Sequence, residues 1–125
     1  MRVALTVWNG RISPVFDVAT RLRVLDVEGG TLLAARDVPL EECDPAGRAG
    51  ELARLGVRRV VCGAISVPFG AALAMRGIDL VAFVSASADE AARACLDGRL
   101  PGPSFRMPGC ARRRRRAGRG RPGGR

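Results

Sequence analysis

The residues best placed for chemistry are four cysteines, at 43, 62, 95 and 110, in a chain with no histidine and no tyrosine. Without histidine there is no Ser-His-Asp type triad, no His-ligated zinc and no imidazole acid–base step. No two cysteines form a C-x-x-C pair. The even count permits disulfides, but no secretory segment leads the chain, so reduced thiols and a cytoplasmic location are expected. Cys62 lies in "VVCGAIS", where a strand should end. Gly63 allows close backbone approach, and Ser66 opens a helix whose free N–H groups and positive dipole end favour an anion. A thiol there would have a lowered pKa and could hold a metal as thiolate. Cys62 also reads as a small buried hydrophobe after Val60-Val61. Cys95 belongs to a core stripe, Cys43 is incidental in an acidic loop, and Cys110 in "MPGC" is free to fold back as a second ligand.

The elements that must position these groups follow from periodicity and turn signals. Residues 3–7, 22–27 and 31–38 read as strands, the last two joined by a tight turn at Glu28-Gly29-Gly30. Asp44-Pro45 then caps a helix with Ala46, Ala49, Leu52 and Ala53 on its apolar stripe, closed by Gly56. Two units of equal length follow, 57–77 and 78–98, each running strand, turn, serine cap (Ser66, Ser87), helix and terminal glycine. Ser87 with Glu90 makes a capping box ahead of Ala88, Ala91, Ala92, Cys95 and Leu96 on one face. The order βββαβαβα predicts a mixed sheet with helices on both faces, its βα units giving parallel strands through right-handed crossovers.

In such sheets ligands sit beyond the carboxyl ends of the parallel strands. The stretch "VWNGRISPVF" would overhang that place. Asn9 and Ser13 would offer hydrogen bonds, and Trp8, Val15 and Phe16 would shield a ligand from water. The competing reading makes the same apolar residues a plug for the core. Asp17 reads as a capping or turn residue rather than a functional carboxylate.

Charge divides the chain unevenly. The formal net charge is +9, but residues 111–125 hold eight arginines and no acid, so the remainder is close to neutral. A domain over residues 1–100 and a flexible Arg-rich tail over 101–125 are expected. The tail could bind nucleic acid nonspecifically, anionic lipid or an acidic partner through residues 112–125, against the plainer reading of a solvated tail. It lacks interleaved aromatics for base stacking. No run of about 18 apolar residues suits a membrane span.

The segments "VWNGRISPVFDVATR", "VVCGAIS" and "FRMPGC" before an arginine-rich end resemble the dinitrogenase iron–molybdenum cofactor biosynthesis family, which includes NifX- and NafY-type carriers and the C-terminal domain of NifB. The resemblance implies a ribonuclease H-like α/β fold, a five-stranded mixed sheet of order 3-2-1-4-5 with three helices. It implies non-enzymatic binding or carriage of an iron–sulfur or iron–molybdenum type cluster or precursor, received from or delivered to a donor or acceptor protein. Its motif positions fall on Ser13, Pro14, Val15, Phe16 and Asp17 and on Gly63, Ala64, Ile65 and Ser66. Some members are thought to use histidine. This chain has none, so a cluster would need Cys62 and Cys110, or backbone and arginine contacts alone. Nuclease chemistry is not expected, because two-metal catalysis needs clustered carboxylates and strand 3–7 has none.

Overall fold

The computed structural model describes residues 1–98. Strand β1 (Arg2–Trp8) turns at Asn9-Gly10 into the two-residue strand β2 (Arg11–Ile12). Both turn residues have left-handed backbone, φ 52° and 75°, the conformation a two-residue hairpin needs and Asn-Gly supplies. A single 3-10 turn (Phe16–Val18) leads to β3 (Arg21–Glu28), and a second glycine-bearing turn leads to β4 (Thr31–Pro39). Then come α1 (Pro45–Arg54), β5 (Arg59–Val61), α2 (Val67–Met75), β6 (Asp79–Val81) and α3 (Ala88–Leu96).

The sheet has six strands where five were expected. Its path is β4-β3-β1-β5-β6, with β2 paired to β1 off that path. The sixth strand went unforeseen because Arg11-Ile12 is too short to show any alternation. β1 is antiparallel to β3 and parallel to β5, and β5 is parallel to β6. The mixed sheet therefore changes direction at β1.

Alternation along β1 feeds two cores. Ala4 joins Leu22, Val24, Val60 and Cys62 under α1 and α2, with Leu52 and Leu73 as the helices' contributions. Val3, Leu5 and Val7 join Leu25, Val61 and Val81 under α3, which contributes Ala88 and Ala91. Period-two burial on both faces of the central strand is what a sheet between helical layers requires. Ala94, absent from the expected stripe of α3, is also buried.

The helix starts differ in chemistry. Asp44 accepts from the Gly47 N–H at 3.0 Å, with Pro45 at the first helical position. Ser87 and Glu90 form the reciprocal capping box at 3.0 Å in each direction. Ser66 occupies the cap position of α2, but its hydroxyl makes no capping bond. Asp17, far away in sequence, instead holds the cap residue itself: its Oδ1 accepts from the Ser66 N–H at 3.1 Å.

Candidate functional site

The opening loop is stitched onto the ends of the parallel strands by its backbone. The Ala64 N–H donates to the Pro14 carbonyl and the Phe16 N–H to the Ala64 carbonyl, both at 2.7 Å, so Val15 and Ala64 form a parallel bridge. On the other side the Ile12 N–H donates to the Ala86 carbonyl at 3.0 Å and the Ala88 N–H to the Gly10 carbonyl at 2.8 Å. The β1–β2 hairpin is thereby fixed to the start of α3, and the loop after it to the turn before α2.

Gly63 shows how close this approach is. A Cβ there would collide with the carbonyl oxygens of Ser13 and Pro14. Close approach was expected at Gly63, but what approaches is the protein's own loop. The turn at Gly63 and Ala64 is filled, and Ala64 spends both backbone groups on the loop. The anion site expected at Ser66 is likewise taken, because the Asp17 carboxylate already sits at that helix end.

Phe16 is a core plug, completely buried. Its ring meets Phe69 of α2 edge-on, with centroids 5.8 Å apart and planes at 71°. Expected as a shield over a ligand, it instead fills the space between the sheet and α2. Cys62 lies in the same core with no exposed surface. Burial, with the Asp17 charge adding to it, pushes its thiol up to about 12. This reverses the lowered pKa expected for it: the helix dipole that would have favoured thiolate is offset by Asp17, and desolvation disfavours the charged form. In this arrangement Cys62 presents no sulfur to a cluster. Cys95 is half-buried against the α3 core, and Cys43 is exposed. Cys110 and the arginines at 112–125 lie outside the described residues. Among the described residues, no group of three or more cysteines and acids gathers as a metal site.

What remains open is the outer side of the loop. A cleft of about 280 Å³ lies between the end of β1 and residues 13–20, lined among others by Trp8, Ser13, Val15, Val18, Ala19 and Thr20. Trp8 is 59% exposed and Val18 73%, a large outlay of apolar surface to water for a domain this small. Ser13 is buried and its hydroxyl donates to the Val15 carbonyl at a long 3.4 Å. Of the expected site residues, Ser13 and Val15 come together here. Asn9 forms the hairpin turn next to Trp8, while Phe16, Gly63, Ala64 and Ser66 stand behind the wall and hold it.

One residue of this construction gave no signal in the sequence. Arg48, in the first turn of α1, is almost completely buried. Its Nη1 donates to the Phe16 carbonyl at 2.6 Å and its Nε to the Glu42 carbonyl at 2.8 Å. Its guanidinium lies 5.5 Å from the Phe16 centroid and 5.8 Å from that of Phe69, within the range of cation–π attraction. Desolvation draws its pKa down, opposed by the charges of Cys43, Glu51 and Asp17.

Fold and site together define a class: a small three-layer α/β domain whose first loop seals the strand ends and borders an apolar cleft on its outer side. Residues 1–98 match the family model for dinitrogenase iron-molybdenum cofactor. The chain belongs to that family. Among solved structures it is similar to PH0822, with TM-score 0.73 and 20% identity over 79% of this chain and 93% of that one. It is similar to the apo form of the orange protein from Desulfovibrio gigas, with TM-score 0.65 and 24% identity over 83% and 93% of the two chains. It also resembles MJ0327 of Methanocaldococcus jannaschii, whose name assigns it provisionally to the dinitrogenases, with TM-score 0.66 and 14% identity over 79% and 90%. At these identities the likeness is one of fold. No curated protein matches the chain in sequence. No helix among the described residues is long and apolar enough to cross a membrane.

Proposed function

We propose that the chain is a non-enzymatic carrier that holds an iron–sulfur or iron–molybdenum type cluster, or a precursor of one, in the cleft beside Trp8. The observation that carries this reading is the exposed apolar wall of that cleft in a member of a cofactor family. A sulfide-rich cluster is bulky, soft and anionic. Apolar side chains shield it from water, and the hydroxyl of exposed Thr20 on the cleft wall can hydrogen-bond its sulfides. With Cys62 buried, the cargo is held without a bond from that thiol. Weak, non-covalent contacts suit a protein that must pass its cargo from a donor to an acceptor protein in the cytoplasm. The ribonuclease H-like fold that the family resemblance implies belongs to the same proposal, and the strand 3–7, without acids, offers no carboxylates for nuclease chemistry.

Trp8 is the chain's one tryptophan, so its emission reports directly on the cleft. Titration with tetrathiomolybdate, a soft sulfide anion of molybdenum, under anaerobic conditions should quench that emission saturably at a one-to-one ratio. Emission unchanged up to millimolar probe would overturn the proposal.

A further inference from the structure

Arg48 is a buried cation without a carboxylate in contact. The ion pairs among the described residues are Arg2–Asp26, Arg23–Asp37, Arg23–Asp89 and Arg59–Asp79, and none includes it. Removing a guanidinium from water is costly unless a charge or a full set of hydrogen bonds compensates. Two carbonyls, two ring faces and the more distant charges of Glu51 and Asp17 compensate only in part. A neutral side chain with an N–H donor could tie down the Phe16 carbonyl just as well, so holding the loop does not account for the charge.

The position of that charge does. The Phe16 carbonyl is shared: it accepts from Arg48 Nη1 at 2.6 Å and from the Ala19 N–H at 3.1 Å. Ala19 is part of the cleft wall. Two hydrogen bonds to one oxygen put the guanidinium within about 6 Å of the Ala19 nitrogen, one carbonyl behind the surface a ligand would touch. The wall residues Trp8, Val15, Val18 and Ala19 carry no charge and screen little. Of the acids whose charges reach Arg48, Asp17 is engaged at the positive end of α2 through the Ser66 N–H and Glu51 by the N–H groups of Glu41 and Glu42, which offsets both in part.

We infer that Arg48 is a positioning residue of the cleft: it fixes the Phe16 plug from behind and sets a positive field through the wall that favours an anionic occupant over a neutral one. This rests on the reading of the cleft as the cargo site. At an effective dielectric near 20, a unit charge about 10 Å away changes affinity by roughly tenfold or more.

The test compares two probes at Trp8, the dianion tetrathiomolybdate and the neutral N-phenyl-1-naphthylamine. It uses the unaltered chain, Arg48→Gln, which keeps a donor but loses the charge, and Arg48→Lys, which keeps the charge. Folding is checked by thermal melting, and Arg48→Met replaces the glutamine variant if that one does not fold. Arg48→Gln should bind the dianion at least tenfold more weakly and the naphthylamine within twofold of the unaltered chain, and Arg48→Lys should recover most of the dianion affinity. Equal losses for both probes, no loss for the dianion, or a lysine variant no better than glutamine would overturn the inference and leave the cleft reading standing. Binding of neither probe by the unaltered chain would overturn both.

Discussion

Cys62 shows how one residue's surroundings decide its chemistry. The unfolded chain would ionise this thiol near 9 and the folded chain at about 12. The folded value is the higher one, so the contribution of burial is whole below pH 9 and is lost as pH rises toward about 12. Stability should therefore decline across that window, and Cys62→Ala should flatten the decline while costing about 1 kcal/mol at neutral pH from the vacated volume. Denaturant titrations at pH 7 and pH 10.5 check both statements. Alkylation gives a second check: iodoacetamide should modify exposed Cys43 in the native protein and leave Cys62 untouched until unfolding. Labelling of native Cys62 as fast as Cys43 would show that the loop does not seal the core.

At the scale of elements, the loop of residues 13–20 is held by contacts that act together. Asp17→Ala removes the carboxylate that holds the Ser66 N–H at the start of α2 and should cost about 1 kcal/mol. Gly63→Ala drives a methyl group against the Ser13 and Pro14 carbonyls and should cost about 2 kcal/mol. Both changes loosen the same loop, so their combined effect should fall short of the sum by a measurable coupling. Full additivity in a double-mutant cycle would mean that the loop's two anchors are independent. These anchors also mark what could be read from the sequence. The Asp44 cap, the Ser87–Glu90 box and the turn at Gly29-Gly30 were legible because each is settled within four residues. The Ser66 bond to Asp17 joins residues 49 apart and the Arg48 bond to Phe16 joins residues 32 apart. Nothing local distinguishes Asp17 or Arg48 from other acids and arginines. The strand β2 was missed for a related reason, since its two residues are defined by pairing to β1 and by the bridge from Arg11 to Ser87.

For the whole molecule, the course of the chain after β1 places the site. β1 alone is parallel to one neighbour and antiparallel to the other, and instead of turning straight into its neighbour β3 the chain crosses the ends of β5 and β6, bonded to Ala64 and Ala86. The length and apolar residues of the opening loop, with parallel βα units after it, pointed to such a crossing, and Trp8, Ser13 and Val15 lie on it. Which side of the crossing would stay open was not foreseeable, because it depends on Phe16 turning inward to Phe69 and Arg48. The inner side became core, and the outer side kept a cleft with Val18 at its mouth. Val18 is exposed enough that Val18→Asp should fold normally while putting a carboxylate where an anionic cargo would rest. The most direct measurement is the iron, molybdenum and sulfide content, with the visible spectrum, after anaerobic loading with a cluster precursor, for the unaltered chain, Val18→Asp and Cys62→Ala. Stoichiometric uptake by the unaltered chain and by Cys62→Ala is expected, with most of it lost in Val18→Asp. Uptake lost in Cys62→Ala but retained in Val18→Asp would place the cargo at the buried thiol, and no uptake by the unaltered chain would contradict the carrier reading altogether.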